Sequence, residues 1–80
     1  MKTFELDGVV RRYNETTNWQ VMLRAPGATG FKTEYNITSG PTRAVLWYNG
    51  INIGRGYAKK LVQVDGRKRT VLAEDTSLSW

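Results

Sequence analysis

Apolar and polar residues alternate singly along most of this chain, and glycine, proline and asparagine break the alternation at short intervals. That is the pattern of consecutive β-strands joined by tight turns. The clearest run is Phe31 to Ile37, in which Phe31, Thr33, Tyr35 and Ile37 oppose Lys32, Glu34 and Asn36. Trp19, Val21 and Leu23 oppose Gln20, Met22 and Arg24 in the same way, as a half-buried strand requires. Lys2 to Tyr13 reads as two short strands interrupted at Gly8, where a bulge or bend is expected. Asn14 to Asn18 follows as a polar turn, and Ala25 to Gly30, with a proline and two glycines, as a loop.

Arg43 to Tyr48 fits two periods. Pro41 suits the first position of a short helix ending at Gly50, but Arg43 would then set a cation in the first turn, against the helix dipole. A strand is therefore expected, with Asn49-Gly50 as a type I′ hairpin turn and Ala44, Leu46, Tyr48, Ile51 and Ile53 on one face. Tyr57 to Val64 and Arg67 to Glu74 form a second hairpin about Asp65-Gly66, with Val64 opposite Arg67, Val62 opposite Arg69 and Leu61 opposite Thr70. Asp75 to Ser79 reads as a polar tail, from which Leu78 and Trp80 can fold back onto the body. The 80 residues thus predict a single all-β domain over 1–80, an antiparallel meander curled into a small barrel or roll of SH3-like or OB-like architecture, carrying a basic β-hairpin.

Composition narrows the chemistry. The chain contains neither cysteine nor histidine, so disulfides, cysteine zinc sites and the usual neutral-pH general base are all excluded. Its carboxylates form no spaced pair of the kind used for acid–base work or calcium binding, and no enzyme activity, metal or cofactor is expected. The N-terminus has acids where a secretory signal needs an apolar core, and no run suits a membrane span, so a cytoplasmic, non-membrane protein is expected.

Charge is the distinctive feature. Between Arg55 and Arg69 lie six basic residues and one acid, a sum of 6 − 1 = +5 that equals the formal charge of the whole chain. Concentrated Lys and Arg neutralise phosphates, and exposed aromatics stack on bases. The candidate nucleic-acid-binding set is accordingly Arg55, Lys59, Lys60, Arg67, Lys68 and Arg69, with Tyr57 and Trp47 as stacking aromatics. The expected function is a small module that binds DNA or RNA through this hairpin, as a monomer or an oligomer. The alternative is an interaction module, such as an inhibitor or assembly subunit of a phage or other mobile element, that docks its ribbon on an acidic protein surface. Gly54-Arg55-Gly56 reads as a strand bend in preference to an anion-binding nest.

Overall fold

The structure, a computed structural model, describes residues 1–77. In chain order the elements are β1 (Lys2–Leu6), β2 (Val9–Tyr13), β3 (Asn18–Arg24), β4 (Lys32–Ile37), α1 (Pro41–Gly50), β5 (Ala58–Asp65) and β6 (Lys68–Thr76). Strands make up 52% and helix 13%, and every strand pairing is antiparallel, so the chain is a mostly β protein. The strands form a two-stranded sheet, β1-β2, and a four-stranded sheet in the order β4-β3-β5-β6. No closed barrel is present, because β1-β2 pairs only with itself and β4 and β6 are sheet edges among the described residues. β6 takes in Asp75 and Thr76, and Ser77 N–H donates to the Tyr57 carbonyl at 2.8 Å, so the predicted tail begins as strand. The expectations for Leu78 and Trp80 lie outside the described residues.

The alternation in β3 and β5 divides the larger sheet into two unlike faces. Trp19 pairs with Gln63, Val21 with Leu61 and Leu23 with Lys59, so these six side chains share one face. The helix packs Ala44 and Tyr48 there against Trp19, Val21, Leu61, Ile37 and Leu72, which together form the core. The β1-β2 hairpin closes the other end of the same face. Phe4 and Tyr13 meet the Trp19 ring edge-on at 5.2 and 5.6 Å, and Gln63 Nε2 donates to the Arg12 carbonyl at 2.7 Å.

Two turns depart from the sequence reading. Asp7 and Gly8 are the central residues of the β1-β2 hairpin, both at positive φ (52° and 79°), so Gly8 completes a tight turn of the type I′ kind and no bulge forms there. The β5-β6 turn is centred on Gly66-Arg67, with Gly66 at φ 62° and Asp65 paired with Lys68. Val64 therefore opposes Arg69, Val62 opposes Val71, and Leu61 opposes Ala73 across a register shift. Asp65 is kept in the strand because its carboxylate accepts from Thr17 Oγ1 and from Gln63 Nε2, tying the hairpin to the turn before β3. Placing a side chain at Gly66 by Gly66→Val is expected to cost about 1 kcal/mol or more, the penalty for a non-glycine at positive φ. Gly50, expected to need the same conformation, ends α1 outside the positive-φ range with open space around it. Gly50→Ala should instead be neutral or stabilise by up to about 1 kcal/mol. Urea denaturation of both variants checks the pair, and equal losses would contradict it.

The predicted strand at Arg43 to Tyr48 is a helix. Pro41 stands in its first turn, Gly40 precedes it at φ 119°, and Ala44 N–H donates to the Gly40 carbonyl at 3.2 Å. Pro41, Ala44, Val45 and Tyr48 recur at helical spacing on the inner side, while Leu46 and Trp47 face outward, 70% and 42% exposed. An unfavourable cation near the dipole costs about 0.3–1 kcal/mol. Burying one large apolar side chain returns about 1.5–3 kcal/mol, so the packed face outweighs Arg43.

Candidate functional site

The opposite face of the four-stranded sheet is covered by neither the helix nor the hairpin, since both pack on the Trp19 side. Strand register puts Gln20, Met22 and Arg24 of β3 on it, beside Val62, Lys60 and Ala58 of β5. Val71, Arg69 and Glu74 continue it on β6. Phe31, at the end of the 25–30 loop, is half-buried between two cations, with Lys60 Nζ 4.3 Å and Arg24 Cζ 5.4 Å from its ring centroid. Arg69 Nη2 donates to Gln20 Oε1 at 2.7 Å and approaches Met22 Sδ at 3.6 Å. Arg69 lies on β6 and Gln20 on β3, so its side chain crosses β5, and Val62 beneath it is only 2% exposed.

The six predicted cations do not form one patch. Arg67 and Lys68 are exposed at the hairpin tip, and Arg69 lies across the open face behind them. Lys60 stands farther along the same face. Arg55 and Tyr57 lie at the far end of β5, roughly 24 Å of strand from the tip. There Tyr57 N–H donates to the Gly54 carbonyl at 3.1 Å, and Gly56 at φ 83° completes a turn whose missing Cβ leaves room for Pro26.

Lys59 leaves the candidate set. It is 8% exposed on the Trp19 face, and its ammonium donates to the Tyr48 carbonyl at 2.8 Å and the Ile51 carbonyl at 3.0 Å. The charge therefore caps the carboxyl end of α1, where unpaired carbonyls and the dipole both favour a cation. Strand neighbours point to opposite faces, so Lys59 turns inward as Lys60 turns outward. Trp47 is also remote from the ribbon. It sits on the helix, its ring 4.6 Å from that of Tyr35, in an apolar patch with Leu46, Gly50 and Ile51.

Phe31, Arg24 and Gln20 belong to the open face and were missed by a reading centred on the ribbon. The signal was the polar side of β3, Gln20, Met22 and Arg24, but the identity of its neighbouring strand is a tertiary fact. Beneath the helix, the Tyr48 hydroxyl is buried and lies beside Asp75 outside hydrogen-bonding geometry. Burial first, then Asp75, Glu74 and Asp7, push its phenol above the usual tyrosine range. Among the described residues no group of three or more acids could hold a metal ion, and no helix is long and apolar enough to cross a membrane. No protein-family model, curated protein or solved structure matches the chain.

Proposed function

We propose that the protein binds single-stranded nucleic acid along the open face of its four-stranded sheet. The observation that carries this reading is the Phe31 ring flanked by Arg24 and Lys60 on a face that also bears Arg69. A base that displaces a cation from over the Phe31 ring stacks in its place while the freed Lys60 or Arg24 turns to a phosphate, and a sheet surface presents both without entering a groove. Arg67 at the tip extends the track, while Lys68, paired with Asp65, stands on the Trp19 face; Arg55 and Tyr57 lie beyond the other end of β5. Arrangements of this kind read backbone and base faces more than base edges, so weak sequence preference follows. The exposed Leu46–Trp47 patch favours a second reading, contact with another protein through the helix.

Fluorescence anisotropy with a labelled single-stranded oligothymidine tests the first reading. Logarithmic affinity should fall linearly with logarithmic salt, with a slope of about −0.7 per neutralised phosphate. Changing Arg24→Ala and Lys60→Ala together should make that slope shallower by about 1.4, with the circular dichroism spectrum retained. Phe31→Ala should weaken binding by about 1–3 kcal/mol and leave the slope unchanged. A wild-type protein that ignores the oligonucleotide even at low salt rules this function out.

A further inference from the structure

Among the described residues β6 is an edge strand, and it has a segregated charge pattern. Lys68 and Arg69 stand at its start, Glu74 and Asp75 near its end, and Thr70, Val71, Leu72 and Ala73 lie between them. Edge strands are commonly protected by charge, but charges of one sign at each end repel a copy laid parallel and attract one laid antiparallel. About the midpoint between Val71 and Leu72, an antiparallel second copy sets Lys68 opposite Asp75, Arg69 opposite Glu74 and Thr70 opposite Ala73. Each pairing occurs twice.

Partners across an antiparallel ladder must also share a face. On a regular strand, residues 68 and 75 point to opposite faces, since they are an odd number of positions apart. The register shift that separates Val71 from Ala73 in their pairing with β5 corrects this for the three flanking pairs, leaving only the central Val71 and Leu72, at the shift itself, on unlike faces. Lys68 pairs with Asp65 and Asp75 with Lys59, six positions apart on β5, so both lie on one face. Arg69 and Glu74, paired with Val64 and Lys60, share the other. Thr70 and Ala73 match likewise through Gln63 and Leu61. Val71, 50% exposed at the centre, would be covered. To meet Glu74 of the second copy, Arg69 must swing from Gln20 and Met22 of β3 to the outer side of β6, exchanging those contacts for an ion pair.

We infer that β6 is a dimer interface, pairing antiparallel with β6 of a second copy of this chain. The two four-stranded sheets then join edge to edge, and their open faces lie on the same side. This interface goes beyond the nucleic-acid reading and stands or falls without it.

Sedimentation velocity over a range of concentrations tests the inference on the full chain. The wild type should sediment as a dimer. Two charge variants, Lys68→Glu with Arg69→Glu and Glu74→Lys with Asp75→Lys, should each be monomeric while keeping the β-sheet circular dichroism spectrum. Mixed in equal amounts, they should recover the dimer, because every opposed pair is again of opposite sign. Glu34→Lys, on the other sheet edge, should leave the wild-type dimer intact. A wild type that is monomeric throughout overturns the inference. So does a dimer that survives both charge reversals or is lost with Glu34→Lys. If either variant unfolds, the chain carrying all four reversals, whose pattern is again self-complementary, should fold and dimerise, and a monomer there is equally fatal.

Discussion

Replacing Lys59 by methionine is expected to lower stability by about 2–3 kcal/mol, far more than removal of a surface lysine. Methionine keeps the unbranched stem and much of its volume, so the loss isolates the ammonium. Without it the Tyr48 and Ile51 carbonyls lose their donor at the end of a ten-residue helix. Each buried acceptor left unpaired costs about 1–3 kcal/mol, partly offset because no ammonium must then leave water. A helix this short depends on its tertiary contacts, so the loss should appear first in α1. Urea denaturation gives the magnitude, and amide exchange at Tyr48 to Ile51 gives the location. Lys59→Met as stable as the wild type would show that the two hydrogen bonds do not hold the helix.

Trp19→Ala should have a larger effect, about 3–5 kcal/mol, through the cavity left when an indole is removed from a packed interior. Trp19 is 1% exposed and is the ring on which both Phe4 and Tyr13 rest. A domain of this size is stabilised by roughly 4–12 kcal/mol in all, so the variant stands near the limit of folding. The softer change Trp19→Phe keeps an aromatic in place and should remain folded. In that variant the amides of Lys2 to Tyr13 should exchange well before those of the central strands β3 and β5, because among the described residues the β1-β2 hairpin has no strand pairing to the larger sheet. Exchange that is uniform across hairpin and sheet would mean that Trp19 is not the hairpin's anchor.

Strand positions and the existence of a basic hairpin were legible in the sequence because alternation and turn residues are local properties. Trp19 to Arg24 and, from Lys32 on, Phe31 to Ile37 could satisfy only one period and are strands. A register shift against β3 nevertheless sets Thr33 on the Met22 face and Tyr35 on the Val21 face, where simple alternation placed them together. Arg43 to Tyr48 satisfied two. Ala44, Leu46 and Tyr48 alternate, yet Pro41, Ala44, Val45 and Tyr48 also recur at helical spacing, and the choice fell to whichever set met a waiting apolar surface. Trp19, Val21 and Leu61 formed that surface, and no local rule could place it there. The Asp65-Gly66 turn moved by one residue for a similar reason, since Thr17 and Gln63 hold the Asp65 carboxylate within the strand. Net charge likewise located the basic segment without distributing it. A count of +5 cannot tell a lysine that caps a helix from one that lies over a ring, whereas the face each strand turns to the core separates Lys59 from Lys60. Phe31, Arg24 and Arg69 lie on different segments, and folding brings them to one face because β3 sits beside β5 and β5 beside β6. That order was decided by the burial of Trp19 and Leu61 on the opposite face, a gain realised only when the distant strands are already in contact.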